Sequence, residues 1–408
     1  MTTVEQSYAP RLYSKLLVLA VGLFIVGTNG FVIAGLLPSI ALSFGVEASD
    51  VSYSITFYAI VVAVASPAVS ILLPRVSRTT LMSVGLVLIC AGTIVAAAAP
   101  TLAVFTIGRL VAALGGAALV PPATATAAAL ASPERRGRAI AFVAVGFTAA
   151  TAFGAPLGTA IAATGGWRIP LFGLAGLAAI TAVVLALFVR NIPLGAPVSA
   201  RARFAVLRDS RILLVLIATL FVVSGFNVVY IFSAAVTSSA TGGSASVLAI
   251  LLLSFGIAGV VGNVLAGPLT DRFGNRPVAI ATLALLIVSM LVLLLVDHGF
   301  LGTVIVFALW GISANAIALP FQHRLVQVNP VTAGVALSWY STALYAGIAL
   351  APPLGAVGLA IGNPQLIPVF GAALGVLAAI AFLIAYATRR PAMEEYAASG
   401  PLVPASDS

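Results

Sequence analysis

Between residues 14 and 388 the chain runs as about twelve long apolar stretches, separated by short polar joints that hold nearly every charge. Crossing a hydrocarbon layer of about 30 Å takes roughly 20 apolar residues in a helix, because each residue rises about 1.5 Å and every backbone polar group must be paired within the segment. The stretches have that length, at 14–41, 50–73, 79–99, 101–129, 138–164, 169–189, 212–238, 246–268, 277–296, 300–324, 332–360 and 365–388. The alternating pattern of a membrane barrel is absent. Composition agrees: 7% of residues are charged and 62% hydrophobic, and the mean hydropathy of +1.20 exceeds what a soluble core can enclose. The expected fold is an all-α membrane protein with twelve transmembrane helices.

Basic residues stay on the cytoplasmic side of short membrane loops. With the N-terminus inside, Arg11, Lys15, Arg75, Arg78, Arg135, Arg136, Arg138, Arg190, Arg201, Arg203, Arg208, Arg211, Arg272, Arg276, Arg324, Arg389 and Arg390 are all cytoplasmic, 17 of the 19 Lys and Arg. Arg168 lies outside and Arg109 within the bilayer. The net charge of +9 thus reflects orientation and attraction to anionic lipid head groups. No soluble domain is present to support a nucleic-acid reading. The preference for Arg over Lys, 18 to 1, is the codon habit of a GC-rich bacterial genome, so the expected location is a bacterial cytoplasmic membrane with both termini inside.

The first stretch is too long for a signal-peptide core and no small-residue cleavage site follows it. A single cysteine, Cys90, in an apolar run and two histidines without ligand spacing provide neither a disulfide framework nor a metal site. No Gly-Lys-Ser/Thr phosphate loop occurs, which excludes an ATP-driven pump within this chain. Neither a cofactor nor an enzymatic activity is expected.

An internal repeat underlies the hydropathy. The joint after the second stretch reads Ser70-Ile-Leu-Leu-Pro74-Arg75-Val-Ser77-Arg78, and the joint after the eighth reads Gly267-Pro-Leu-Thr-Asp271-Arg272-Phe-Gly274-Asn-Arg276. Arg75 and Arg272 are 197 residues apart, and the same shift carries Pro133 to Pro330, Gly137 to Gly334 and Pro156-Leu157-Gly158 onto Pro353-Leu354-Gly355. Parallel six-helix repeats imply two bundles related by an axis along the membrane normal. The expected division is an N-terminal bundle at 1–189, a polar linker at 190–211, a C-terminal bundle at 212–388 and a polar tail at 389–408. Linker and tail read as flexible and cytoplasmic.

Gly267, Asp271, Arg272, Gly274 and Arg276 resemble the cytoplasmic loop signature of the major facilitator superfamily, in its second-half copy. The first stretch, Gly27-Thr28-Asn29-Gly30-Phe31-Val-Ile-Ala-Gly35-Leu-Leu-Pro38, is similar to the drug:proton antiporter branch, including its arabinose and chloramphenicol exporters. Arg109, Gly115 and Gly116 in the fourth stretch fit the same resemblance, as do Gly146, Gly154, Pro156 and Gly158 in the fifth, followed by Gly166-Trp167-Arg168. It covers the whole chain and implies a monomeric exporter that carries a small solute by alternating access. It further implies that Asp271 latches the start of the fifth helix, where Arg135 and Arg136 are in reach. The first-half loop copy has Ser70, Pro74 and Ser77 where Gly, Asp and Gly are usual, so the expected cytoplasmic gate is asymmetric. Gating is expected of Gly154, Pro156, Gly158, Gly267, Asp271, Arg272, Gly274 and Arg276; close packing and topology anchoring are the plainer roles.

An arginine inside the bilayer is costly enough to face a cavity or a partner, so Arg109 is read either as a cavity cation or as a structural cation on carbonyls. Other expected cavity residues are Asn29, Phe31, Asn227, Tyr230, Trp310, Asn315, Trp339, Tyr340 and Tyr345, with helix packing as the alternative for the rings and helix-to-helix hydrogen bonding for the amides. All ten acids fall at helix ends, loops or tails. Related exporters carry Glu where this chain has Gly30, so no proton-titrating group is evident, although Asp271 and His323 near cytoplasmic helix ends could titrate. A cavity with a cation and no acid disfavours organic cations and suits neutral or anionic cargo, and the solute expected is small and neutral or amphipathic, drug- or sugar-like. Coupling stays open: proton antiport follows from the resemblance, and proton-independent facilitation or import from the chemistry. A fold that only senses or binds a partner is the other class, and no extra domain supports it.

Overall fold

The computed structural model describes residues 3–388 except 74, 133–134, 191, 193–199 and 297–298, and omits the side chains of 3–11, 70, 200 and 202. Pro74, Pro133, Glu134, Asp297, the 193–199 part of the linker and the tail from Arg389 lie outside the described residues. Twelve helices are long and apolar enough to cross a membrane: α1 Leu12–Phe44, α2 Ala48–Val69, α3 Arg78–Ala97, α4 Leu102–Leu130, α5 Arg136–Gly165, α6 Arg168–Phe188, α7 Ser210–Ile231, α8 Ala245–Phe273, α9 Asn275–Val296, α10 Phe300–Val328, α11 Pro330–Ala360 and α12 Leu366–Ala387. No strand occurs among the described residues.

Polar joints start the helices where side chains can accept from the first free amides. Ser77 takes the Thr80 amide at 3.0 Å and Asp209 the Arg211 amide at 2.9 Å. At the end of α8, Gly274 has φ +84°, a left-handed value that a side chain would resist.

The boundaries depart from expectation at four joints, one of them the end of α8, which runs on to Phe273 instead of 268. The seventh helix stops at Ile231 instead of running to 238, and single turns at Ser233–Val236 and Ser238–Thr241 follow. There Thr237 and Thr241 return their hydroxyls to the carbonyls of Ser233 and Thr237, a local bond that competes with regular helix. Within the linker, Ala200–Ala205 is helical and Val206–Arg208 forms a 3-10 turn. Arg211 accordingly belongs to the first turn of α7, buried and paired to Asp209 at 2.7 Å. Helix α10 extends to Val328 but breaks at Ile317, three residues before Pro320, which denies Ala316 its helical donor.

Within each half the packing repeats: α1 with α5, α2 with α4, and α3 with α4 and α6, matched by α7 with α11, α8 with α10, and α9 with α10 and α12. Small residues let backbones approach. A Cβ on Gly92 of α3 would lie 2.5 Å from the Gly108 carbonyl oxygen of α4. Between halves, α2 packs on α11 and α5 on α8.

These two inter-bundle contacts sit at proline-disrupted turns. Pro156 deprives the Ala152 carbonyl of a helical donor, and α5 widens there into a π turn at Ala150–Gly154. Against that turn lies Gly256 of α8, whose added Cβ would stand 2.3 Å from Ala152 Cα and 2.6 Å from the Thr151 oxygen. At the repeat-equivalent place in α11, Pro353 frees the Ala349 carbonyl, and Thr56 Oγ of α2 donates to it at 2.9 Å.

Arg75, Arg78, Arg135, Arg136, Arg208, Arg211, Arg272, Arg276 and Arg324 mark one end of the bundles, the basic end. Away from it, Val32–Ala41 of α1, Val51–Ala59 of α2, Phe105 and Trp167 share one apolar core with the second bundle. Toward the basic end, Leu16–Val26, Met82–Ile89, Leu119–Ala131 and Leu174–Val189 form a separate core made of first-bundle residues alone. The halves are joined far from the basic end and part toward it.

Candidate functional site

Where the joined core ends, a narrow cavity lies between the bundles. Its walls are Val26, Gly27, Gly30, Phe31 and Ala34 of α1, Ile55 and Tyr58 of α2, Phe147 of α5, Asn227, Tyr230 and Ile231 of α7, and Tyr345 and Ile348 of α11. Positions 26, 27, 30, 31 and 34 follow the helical repeat, so one face of α1 supplies a whole wall. Phe31 is the centre of an aromatic bridge, edge-on to Phe147 at 5.7 Å and to Tyr230 of the other bundle at 5.8 Å. Tyr230 continues it to Phe255 at 5.2 Å and Trp310 at 6.3 Å. Edge-to-face rings at these separations attract through their quadrupoles.

No charged side chain lines the cavity among the described residues. Arg109 lies one layer behind the wall, 2% exposed, with its guanidinium carbon 4.3 Å from the Tyr58 ring centre. One guanidinium nitrogen, Nη1, donates to both the backbone and side-chain oxygens of Asn29. Asn29 in turn donates from Nδ2 to Thr93 Oγ at 2.8 Å. These groups belong to a smaller hollow between α1, α3 and α4, closed by Leu171. Nε and Nη2 of Arg109 have no hydrogen-bond partner among the described residues. The cation therefore rests on carbonyl oxygens and a ring face, and its field reaches the cavity through Tyr58.

Of the ten residues expected in a cavity, Phe31, Asn227, Tyr230 and Tyr345 line this one together. Asn29 and Arg109 form the polar pair behind it. Trp310 is fully buried in the second bundle between Phe255 and Phe307. Asn315 donates to the Gly311 carbonyl of its own helix at 3.1 Å, and Trp339 donates to the Arg203 carbonyl of the linker at 3.0 Å. Tyr340 is buried in the second-bundle core. Sequence reasoning passed over Tyr58 and Phe147 as wall residues. Each is a mid-helix ring on α2 or α5, the helices that the repeat pairs across the interface.

The proposed gating residues divide likewise. Gly154 and Gly158 face Thr28 and Val32 of α1 so closely that a Cβ would stand 2.1 and 2.4 Å from them, and buried Pro156 follows the π turn. Gly267, Asp271 and Arg272, expected at a joint, fall instead in the last turns of α8, where Gly267 has open space around it and Asp271 and Arg272 are exposed. The expected latch is not made: Asp271 has no hydrogen bond or ion pair among the described residues, which accords with the parting of the halves at the basic end. Gly274 turns the chain into α9, where Asn275 donates to Gln327 at 2.9 Å and accepts from the Tyr386 hydroxyl. The same ring carries the Arg276 guanidinium 5.6 Å and the Arg324 guanidinium 4.0 Å from its centre. In the first-half loop, Arg78 donates to the Ala125 carbonyl at 3.1 Å and Thr79 to the Val189 carbonyl at 2.6 Å. Each loop is thus fastened within its own bundle.

The sequence profile of the Major Facilitator Superfamily matches residues 19–236 and 215–405. YbcL of Bacillus subtilis, an uncharacterized MFS-type transporter, is 31% identical over 368 residues, covering 90% of this chain and 94% of its own. YdhP of Escherichia coli K12, an inner membrane transport protein, is 28% identical over 376 residues, covering 92% and 96%. Among solved structures, a mutant of the nucleoside transporter NupG superposes with a TM-score of 0.75 at 13% identity, over 92% of this chain and all of that one. A bacterial homologue of the lysosomal transporter Spinster, solved inward-facing and unoccupied, gives 0.67 at 18% identity over 92% and 93%.

Proposed function

The chain belongs to the major facilitator superfamily, and from that premise we propose that it exports a small neutral or amphipathic solute, drug- or sugar-like, by alternating access. We place it in the drug:proton antiporter branch, as a monomer in a bacterial cytoplasmic membrane. The observation that carries this reading is the cavity between the bundles, walled by both halves and free of charged side chains among the described residues.

The positive-inside rule makes the basic end cytoplasmic, with both termini on that side. The joined cores then lie outside and the parted ones inside, an arrangement in which an exporter takes on cargo from the cytoplasm. The α2–α11 and α5–α8 contacts are the fixed lines about which the bundles rock. Rocking separates Phe31 from Tyr230 and brings Asp271 toward the start of α5, where Arg135 and Arg136 lie.

One observation favours a second reading, facilitated movement without protons. Among the described residues no carboxylate lies in the interior of a span: Asp50 is in the first turn of α2 and Asp271 near the end of α8. The first experiment exposes a pump-deficient bacterium carrying this chain, or its Arg109→Ala variant, to a panel of antibiotics and sugars. Protection by the parent alone supports export. Sensitisation supports uptake, and no effect from protein verified in the membrane overturns transport of these classes. Flux in proteoliposomes that ignores an imposed pH gradient supports the facilitator.

A further inference from the structure

Glycine in a helix needs a reason, since alanine is the better helix former at any site with room for a methyl group. On α1, Gly27 has one: its added Cβ would lie 2.7 Å from the Cβ of Ala150. Gly35 has one too, at 1.9 Å from Thr159 Oγ. Gly30 has none, for nothing lies within 4 Å of where its Cβ would be, and the space it leaves open belongs to the cavity.

The wall around that space offers ring faces on both sides of the interface, from Phe31, Phe147, Tyr58, Tyr230 and Tyr345. It also offers one amide. Asn227, 1% exposed, donates from Nδ2 to the Val223 carbonyl of its own helix at 2.9 Å, which leaves its Oδ1 as the amide acceptor on the cavity wall. An amide oxygen on an apolar wall is a favourable acceptor for a solute that brings a donor into the cavity. The wall presents no charge to neutralise an ion, and the Arg109 guanidinium behind Tyr58 opposes a cation.

We propose that the cavity takes an uncharged, ring-bearing solute with a hydroxyl or N–H group, its ring over Gly30 and its donor on Asn227 Oδ1, and that the missing side chain at Gly30 sets how large that ring can be. The inference rests on the transport reading for its biological meaning, but equilibrium binding tests it independently of direction and coupling.

The probes are phenol, a naphthol, the methyl ether of that naphthol, a naphthoate and tetraphenylphosphonium, titrated against the purified full-length protein in lipid nanodiscs. The parent is expected to bind the naphthol about tenfold tighter than the ether, the naphthoate or the phosphonium, about tenfold being the weight of one good hydrogen bond. Gly30→Leu should lose the naphthol by about tenfold or more and keep phenol, with an unfolding temperature no lower than the parent's. Gly30→Ala should show a smaller loss in the same order, and it decides the matter if the leucine variant does not fold. Asn227→Ala should bind naphthol and ether alike. Equal or tighter binding of either ion by the parent, no binding of any probe, or naphthol affinity unchanged in the Gly30 variants would overturn the proposal. Selective naphthol binding by a protein that protects no cell would leave it standing and count against export; protection without selective binding would do the reverse.

Discussion

The hydroxyl of Thr56 in the first bundle donates, at 2.9 Å, to the carbonyl of Ala349 in the second, the carbonyl that Pro353 leaves without its helical donor. One side chain thus offsets a polar cost that would otherwise fall within the membrane, and does so across the interface between the bundles. At the repeat-related place the answer differs: Pro156 is met by a π turn in α5, with Gly256 of α8 pressed against it.

Thr56→Val keeps the shape and removes the donor. Buried hydrogen bonds between membrane helices are worth about 0.6 kcal/mol on average and up to about 1.7. The variant should unfold about a degree lower than the parent, and Thr56→Ser should restore part of the loss. An unfolding temperature for Thr56→Val equal to the parent's would remove this bond from the list of contacts that hold the bundles together.

Gly256→Ala forces a methyl group onto the backbone of α5, which cannot move aside as a flexible side chain would. Overpacking of this kind costs about 1–3 kcal/mol, and here it separates the bundles. Transport should fall along with thermal stability. Gly173 and Gly176 of α6 have nothing within 4 Å of an added Cβ. Alanine at either should leave both readouts near the parent's, so equal effects at all three positions would refute the packing argument.

Arg109→Ala removes the cation that joins Asn29 to Tyr58, and transport should drop by more than about tenfold while the protein still reaches the membrane, as an immunoblot of membrane fractions would show. Arg109→Lys should rescue little of it, because an ammonium lacks the flat face that lies over Tyr58 and is the more strongly hydrated charge, costlier to bury. Full activity in the lysine variant would mean that charge alone is required.

Partial burial pushes the Asp209 carboxyl up, but hydrogen bonds from the side chain and amide of Arg211, the charge of Arg211 and the amide of Ile212 outweigh it and hold the group below its ordinary value. A carboxyl held down in the folded protein adds stability above its unfolded pKa of about 3.9 and loses it as the pH falls through the folded value. The unfolding temperature should therefore decline below about pH 4, and Asp209→Asn should flatten that part of the profile. Parallel profiles for parent and variant would assign the acid sensitivity elsewhere.

Much of the fold was legible because the membrane imposes a length on every span and the repeat of 197 residues ties the halves together. Interruptions were less so: Pro320 is plain in the sequence, yet that α10 breaks at Ile317 and then runs on to Val328 depends on the neighbours around it. The site was legible in part. Phe31, Asn227, Tyr230 and Tyr345 stand out as polar or aromatic groups in mid-span, and the structure brings them to one wall. Trp310 and Trp339 carry the same signal and go elsewhere, one into a ring cluster and one onto a linker carbonyl. Residue type marks a side chain that must find company, without saying which company it finds.

The sequence by itself determined that the chain crosses a membrane twelve times, that it is built from two parallel halves and which end carries the positive charge, because hydrophobic length and charge placement are properties of single segments judged against the bilayer. Only the tertiary structure decided that Arg109 rests on Asn29 and Tyr58 behind the cavity wall, that the hollow beside Gly30 is left unfilled, and that Thr56 rather than a helical amide reaches Ala349. Those outcomes depend on how the helices are rotated and how closely they approach. Rotation and approach are set jointly by side chains hundreds of residues apart in the chain, so no single segment contains them.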